Sequence, residues 1–218
     1  MIEVFGHPFS SYTWKALIAF RESGIAFEFR LIDAGHPANV ARLNEISPLG
    51  KFPAIVDGDV ALFEATIIIE HLRQRYPEAA ALIPAAPRSA TDVRMLDRFF
   101  DNYVMAPMQR IVADFIRPPI DRDAGAVAEA KEMLERSYAW LNRRMADKAF
   151  ACGDAFTLAD CAAAPSLFYA DWVLEIAPAL SALRTYRARL LARPSVKRCI
   201  DEARPFRHFF PPGAPDRD

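Results

Sequence analysis

The chain has 218 residues, of which 52% are hydrophobic and 25% are charged, and its formal net charge is −1. This balance is typical of a globular protein with a sizeable core, and it excludes a disordered, highly charged chain. A chain without net positive charge gives no electrostatic reason to expect binding to nucleic acid or to an anionic membrane.

The distribution of apolar residues and cysteines favours a cytoplasmic protein. The N-terminus lacks a basic segment followed by an apolar one, so we expect no signal peptide. No apolar run approaches the roughly 20 residues of a membrane-spanning helix. The three cysteines, Cys152, Cys161 and Cys199, contain no C-x-x-C pair and suit buried thiols in a reducing compartment.

The predicted elements change in character near Pro77. Those before it are a strand at 2–5, a helix from Ser11 to Gly24, a strand at 27–31, strands at 54–56 and 60–63 forming a hairpin, and a helix at 65–76. A further helix is expected between the second and third strands. The first two strands are joined through a helix and should be parallel neighbours, so the first part is predicted to be a mixed sheet covered by helices.

The second part has helical periodicity throughout. Helices are predicted at 89–116 with an interruption near Pro107, and at 124–147, 158–172, 178–192 and 195–203. Thr157 and Asp160 have the spacing of a capping box at the start of the third of these. We therefore predict a first domain at 1–77, a linker at 78–88 and an all-helical domain at 89–218.

Three segments have residue types that suit a binding site. Ser10 and Ser11 lie between the first strand and its helix, where the helix N-terminus favours an anion and lowers the pKa of a nearby thiol; the alternative is a plain N-cap. Phe52-Pro53 precedes a strand and is compatible with a cis peptide, or with an ordinary strand-entry proline. Glu64 precedes a helix, where it could accept from an amino group or simply complement the helix dipole.

Four motifs together resemble the cytosolic glutathione transferase superfamily over nearly the whole chain. The segment S-S-Y-T-W-K at 10–15 is similar to the zeta-class motif S-S-C-S-W-R, with Tyr12 in place of cysteine. The segment at 44–55 resembles N-P-x-G-K-V-P-x-L, Glu64-Ala65 takes the place of Glu-Ser, and T-L-A-D at 157–160 resembles S/T-x-A-D. The resemblance implies a thioredoxin-like α/β domain followed by an all-α domain, with glutathione as co-substrate.

The resemblance also implies roles for single residues around glutathione. Ser11 would donate a hydrogen bond to the thiolate, with Ser10 as the second candidate. The backbone of Phe52, before a cis Pro53, would pair with the cysteinyl part of glutathione. Glu64 would hold the γ-glutamyl end.

The resemblance also assigns residues to the two ends of glutathione, and at the γ-glutamyl end Ala65 departs from the family's pattern. Lys51, and with less support His36, would face the glycyl carboxylate. Ala65 lacks the hydroxyl that the family's serine offers to the γ-glutamyl carboxylate, although Thr66 or a backbone N–H could replace it. The loss of one hydrogen bond to a charged group costs about 1.5–3 kcal/mol.

The second substrate is expected to bind against the helical domain. Candidate pocket residues are Tyr12, Tyr103, Met105, Met108, Phe115 and Tyr169, with Phe168 and Trp172 nearby; each could equally be a core residue of an amphipathic helix. His7, His71 and His208 do not have the spacing of metal ligands, so no metal site is predicted.

The resemblance implies a homodimeric glutathione transferase that detoxifies small hydrophobic electrophiles, and we expect it to be cytoplasmic. One alternative is a glutathione-dependent isomerase of zeta type, against which Tyr12 argues. Another is a non-catalytic carrier or protein-interaction module, which Ala65 favours. A thiol oxidoreductase would need a cysteine near Ser11, where the chain has none.

Overall fold

A four-stranded mixed sheet and three helices form the first part of the chain in a computed structural model. The structure describes residues 1–218 except for the side chain of Ala80. The elements are β1 (Ile2–Gly6), α1 (Ser11–Glu22), β2 (Phe27–Leu31), α2 (Pro37–Ile46), β3 (Ala54–Asp57), β4 (Val60–Phe63) and α3 (Ala65–Arg75). The strand order is β2-β1-β3-β4.

The pairing of the strands follows from the chain connections. Strands β1 and β2, joined through α1, are parallel, with Val4 opposite Phe29. Strand β1 is antiparallel to β3, where Val4 lies opposite Ile55, and β3 and β4 form an antiparallel hairpin. The predicted parallel pair and the predicted hairpin are confirmed. Val4 and Ile55 are fully buried beneath the helices that cover the sheet.

The second part consists of helices. They are α4 (Pro87–Phe99), α5 (Ala106–Ile116), α6 (Ala124–Arg144), α7 (Leu158–Val173), α8 (Ser181–Leu191) and α9 (Pro194–Ala203), with 3₁₀ segments at Pro77–Leu82, Pro119–Asp121 and Arg204–Phe209. The predicted linker therefore contains helical turns. Within the described residues, none of the helices combines the length and apolar character needed to cross a membrane.

The interruption predicted near Pro107 is a π-helical turn at Phe100–Met105. Proline has no N–H, so the carbonyl four residues earlier, that of Tyr103, loses its helical donor. Ser137 of α6 donates its hydroxyl to this carbonyl at 2.9 Å. A side chain of a neighbouring helix thus satisfies the carbonyl that the proline leaves free.

The capping box at the start of α7 is confirmed. One carboxylate oxygen of Asp160 accepts from the backbone N–H and the hydroxyl of Thr157, at 2.9 and 3.0 Å. The other accepts from the Ala151 N–H at 2.9 Å and from the Tyr186 hydroxyl at 2.6 Å. Burial raises the pKa of Asp160, although these four hydrogen bonds act in the opposite direction.

A buried ion cluster joins the two parts of the chain beside α1. The ammonium of Lys15 lies 2.6 Å from a carboxylate oxygen of Asp97 and 2.7 Å from one of Asp101. It also donates to the Thr66 hydroxyl at 2.9 Å, and Arg98 contacts both aspartates. Lys15 is only 1% exposed. Because Lys15 and Thr66 belong to the first part and the other three residues to the second, the cluster fixes α1 and α3 against α4.

A second polar contact joins the end of α1 to α9. Glu22 accepts from the Arg193 guanidinium at 2.9 Å and from the Ser195 hydroxyl. Burial acts to raise the pKa of Glu22, but the hydrogen bonds from Arg193 and Ser195 outweigh it, and the pKa is lowered.

Candidate functional site

Two cavities adjoin at the N-terminus of α1. The first, which we name the proline cleft, has a volume of about 490 Å³ and is lined by Ser10, Tyr12, Gly50, Lys51, Phe52, Pro53, Phe63, Glu64, Ala65 and Gln109. The second, the aromatic pocket, has a volume of about 390 Å³ and is lined by Phe9, Ser10, Ser11, Tyr12, Met108, Gln109, Val112, Ala113, Ile116, Tyr169, Phe209, Phe210 and Pro211. Ser10, Tyr12 and Gln109 line both, so a molecule in one cavity can meet a molecule in the other.

The two predicted serines differ in their surroundings. Ser10 is the N-cap of α1, and its oxygen accepts from the Thr13 N–H at 3.2 Å, which leaves the hydroxyl proton free to donate elsewhere. Ser11 is the first residue of the helix and lines only the aromatic pocket. Its hydroxyl has no hydrogen-bond partner among the described residues. Ser10 alone of the two reaches both cavities.

The wall of the proline cleft opposite α1 is the turn before β3. The Phe52–Pro53 peptide is cis, and strand pairing begins only at Ala54, so Phe52 lies outside the sheet ladder. The Lys51 N–H is held by the Ser47 hydroxyl at 3.1 Å. This turn therefore places Phe52 and Lys51 at the edge of the cleft, with the Phe52 backbone outside the strand pairing.

The third wall of the proline cleft is the start of α3. Glu64 has φ of +75°, a strained value for a residue other than glycine and one that is common at binding sites. Ala65 is the first residue of α3, and no side chain caps this helix. The N–H groups of the first turn lack intrahelical partners and suit an anion.

The Thr66 hydroxyl faces away from the cleft. It donates to a carboxylate oxygen of Asp97 at 3.0 Å and accepts from Lys15 at 2.9 Å. Thr66 is therefore engaged in the ion cluster, and its hydroxyl is not free to replace the one that Ala65 lacks.

Tyr12 lies where the proline cleft and the aromatic pocket meet. Burial raises the pKa of its phenol to about 12, and the negative charge of Asp101 adds to this shift. The phenol is therefore uncharged at neutral pH, so it can donate a hydrogen bond but does not act as a base.

The aromatic pocket includes three of the six side chains that the sequence suggested. Tyr12, Met108 and Tyr169 line it, and the Tyr169 hydroxyl donates to the Phe9 carbonyl at 2.9 Å.

The other three side chains lie elsewhere. Tyr103 is 47% exposed and packs on Phe99, Met105 is buried in the core, and Phe115 lies under the Arg122 guanidinium. Tyr103 and Met105 lie within the π-helical turn, which breaks the 3.6-residue period, so they do not share a face with Met108 as they would on a continuous helix. Phe115 lies on α5, as Met108 does, and its position does not depend on the turn.

The positions of three further features of the site also differ from those that the sequence predicted. His36 does not line the proline cleft; its ring contacts the Asp33 carboxylate at 2.6 Å on the surface. Sequence reasoning missed Gln109 and the C-terminal segment at 209–211, which covers the aromatic pocket. The consecutive aromatics Phe209-Phe210 were a signal for this cover, whereas no sequence pattern distinguished Gln109.

The thiols and possible metal ligands add no chemistry to the site. Burial raises the pKa of Cys152 to about 11 and that of Cys199 to about 12, and Cys161 is fully buried. In the described part of the chain, no group of three or more histidine, cysteine or acidic side chains is arranged to hold a metal ion.

Comparison with known proteins identifies the family. Residues 4–80 match the family described as "Glutathione S-transferase, N-terminal domain", and residues 124–189 match "Glutathione S-transferase, C-terminal domain". A stringent starvation protein A homolog from Coxiella burnetii is 26% identical, over 93% of this chain and 93% of the relative. Glutathione S-transferase PARB from Nicotiana tabacum is also 26% identical, over 89% of this chain and 94% of the relative.

A solved structure has the same fold. A glutathione S-transferase from Methylobacillus flagellatus, crystallised with glutathione bound, superposes with a TM-score of 0.82 at 22% identity, covering 91% of this chain and 98% of that one. The two family matches span more than half of the chain, one in each part of the fold. This chain therefore belongs to the cytosolic glutathione S-transferase superfamily.

Proposed function

We propose that the protein is a glutathione transferase that activates the glutathione thiol and conjugates it to a small hydrophobic electrophile. The observation that supports this most is the position of Ser10. Its free hydroxyl proton lies at the N-terminus of α1, at the junction of a cleft with peptide-binding features and an apolar pocket.

Glutathione fits the proline cleft as an extended tripeptide. Its cysteinyl backbone would pair with the backbone of Phe52, and its glycyl carboxylate would face Lys51. The γ-glutamyl carboxylate would meet the free N–H groups at the start of α3, and Glu64 would accept from the γ-glutamyl ammonium. The glutathione bound to the Methylobacillus flagellatus relative is consistent with this ligand.

The chemistry requires a stabilised thiolate. The N-terminus of α1 favours negative charge, and a hydrogen bond from Ser10 lowers the thiol pKa further. The neutral phenol of Tyr12 is a second possible donor. The thiolate then attacks an electrophilic carbon in the aromatic pocket; a C–S bond forms, and the leaving group departs with its electron pair.

The roles of the two serines can be tested with Ser10→Ala and Ser11→Ala. The thiol pKa of bound glutathione is read from ultraviolet thiolate absorbance, and turnover from conjugation of chlorodinitrobenzene. Loss of a hydrogen bond to a charged group should raise the thiol pKa by about 1–2 units in Ser10→Ala, whereas Ser11→Ala should leave it unchanged. Ser10→Thr keeps both cap and hydroxyl and should restore the wild-type pKa.

Ser10→Ala also removes an N-cap worth about 1 kcal/mol, so circular dichroism must verify that the variant is folded. An effect confined to Ser11→Ala would reverse the two roles. Absence of glutathione binding at millimolar concentration, together with no conjugation by the wild type, would overturn the proposed activity.

Two observations favour a non-catalytic member of the family as the second candidate. Ala65 has no hydroxyl and that of Thr66 is engaged elsewhere, and one of the relatives bears a name without transferase activity. Calorimetry with glutathione separates this candidate from the enzyme. The zeta-type isomerase is less well supported, because no basic side chain lines the described aromatic pocket to neutralise a dianionic substrate.

We also propose that the protein is a cytoplasmic homodimer. Exposed apolar side chains at Phe63, Ile67 and Met95 lie on β4, α3 and α4, and they would be covered in a dimer. Light scattering behind a sizing column measures the molecular mass; a monomer at micromolar concentration would contradict the dimer.

A further inference from the structure

Gln109 of α5 lines both cavities. Its side chain is exposed and makes no hydrogen bond to another described residue. Its primary amide has two donor protons and one acceptor oxygen. It faces the cavity junction from the helical part, while Ser10 and Tyr12 face it from the first part.

Gln109 lies on a different side of the aromatic pocket from most of the other polar lining residues. Ser10, Ser11 and Tyr12 all belong to the N-terminal end of α1. Among the described residues, the second part contributes one other polar side chain to this lining, Tyr169, whose hydroxyl proton is already donated to the Phe9 carbonyl. Gln109 is therefore the free polar group on the side where the electrophile binds.

The uncharged lining described for the aromatic pocket limits which electrophiles can bind there. None of the described lining residues is a lysine, arginine, histidine, aspartate or glutamate. A charged group moved from water onto this lining would lose part of its hydration without meeting an opposite charge. Phe9 and Tyr169 pack edge to face, with ring centroids 5.5 Å apart, and the apolar, aromatic lining suits an uncharged aromatic molecule.

We propose that Gln109 selects the second substrate, an inference that rests on the proposed transferase function. This substrate is an uncharged aromatic molecule with a hydrogen-bond acceptor conjugated to the carbon that the sulfur attacks. Carbonyl and nitro groups are acceptors of this kind. The Gln109 amide donates to the acceptor oxygen on which negative charge develops.

The electron balance differs between two kinds of electrophile. With an enone, the thiolate forms a C–S bond to the β-carbon, the π-electrons move to the carbonyl oxygen, and water then protonates the α-carbon. With a halonitroarene, the charge moves onto the nitro oxygens, and the halide leaves with its electron pair. In both, the Gln109 N–H interacts more strongly with the charged intermediate than with the ground state, which lowers the barrier.

The test compares wild type, Gln109→Leu and Gln109→Lys in steady-state conjugation of benzylideneacetone, its para-carboxylate, chlorodinitrobenzene and benzyl bromide. Benzyl bromide has no acceptor. A hydrogen bond to a developing charge predicts a roughly 10- to 100-fold loss of kcat/KM for benzylideneacetone and chlorodinitrobenzene in Gln109→Leu, with little change for benzyl bromide. Gln109→Lys should raise the activity with the para-carboxylate relative to the neutral enone.

Gln74→Leu on the exposed face of α3 is the matched control and should change none of the rates. Wild type should prefer the neutral enone over its carboxylate by at least about tenfold. The probes are compared at saturating glutathione, because Gln109 also lines the proline cleft.

Equal losses with all probes, or no loss with any, would overturn the role of Gln109 while leaving the transferase function intact. A wild-type preference for the para-carboxylate would overturn the substrate class. If the wild type binds glutathione but conjugates none of the probes, the role of Gln109 and the substrate class are wrong. If it also fails to bind glutathione at millimolar concentration, the transferase function is wrong as well.

Discussion

Restoring a hydroxyl at position 65 should strengthen glutathione binding. Ala65 lines the proline cleft as the first residue of α3, so a serine there places an oxygen beside the proposed site of the γ-glutamyl carboxylate. A hydrogen bond to a charged group contributes about 1.5–3 kcal/mol, and each 1.4 kcal/mol is about tenfold in Kd. Ala65→Ser should therefore lower the Kd for glutathione by about 10- to 150-fold.

The assay is isothermal titration calorimetry with glutathione at pH 7, alongside urea unfolding of each variant. Serine has a helix propensity about 0.5 kcal/mol less favourable than alanine, so stability should change little. Ala61→Ser on the exposed part of β4 makes the same chemical change outside the cleft and should not alter the Kd. If Ala65→Ser is folded and its Kd equals that of wild type, the missing hydroxyl does not limit binding.

Three further predictions concern the buried polar groups. Lys15→Met should destabilise the fold by about 3–5 kcal/mol, because it leaves Asp97 and Asp101 buried without their cation; urea unfolding measures this. Asp160→Ala should cost about 3 kcal/mol or more, since several buried donors lose their acceptor; thermal and urea unfolding both report it. Glu22→Gln should lose stability mainly above pH 4.5: the native pKa of Glu22 is lowered, so its stabilisation is present above the unfolded value of 4.5 and is lost as pH falls through the folded pKa.

Each of these predictions has a control. Lys15→Met combined with Asp97→Asn should recover part of the loss, and equal losses in the single and double variants would contradict the ion-cluster reasoning. Asp160→Asn keeps some acceptor capacity and should cost less than alanine. The unfolding free energies of wild type and Glu22→Gln should converge from pH 6 to pH 3, and a constant difference would refute the pH dependence.

Local rules predicted much of the fold. The alternation at 27–31 and the turn at Asp57-Gly58-Asp59 identified β2 and the β3–β4 hairpin, because these patterns depend on neighbours in sequence. Gly24 ends α1 in the left-handed region, with φ of +65°, as its position indicated. The Thr157–Asp160 spacing identified the start of α7 for the same local reason.

Sequence patterns were less informative where contacts join distant segments. At the π-helical turn, Ser137 satisfies the Tyr103 carbonyl, and these residues are 34 positions apart. The positions of Tyr103 and Met105 outside the aromatic pocket follow from that turn. The Thr66 hydroxyl donates to Asp97, which lies in the second part of the chain. The direction of the Thr66 side chain could therefore not be predicted from its neighbours in sequence.

The ion cluster at Lys15 also limits how the molecule can be divided. An isolated first part would keep the Lys15 ammonium of α1 beside α3 while losing both of its carboxylate partners, so expression of residues 1–80 alone should give an insoluble fragment. The same constraint applies to chimeras between relatives. If the first part is exchanged without the α4 of the same protein, buried charges are left without their partners. In this protein, α1 and the segment that carries Asp97 and Asp101 can therefore be exchanged only together.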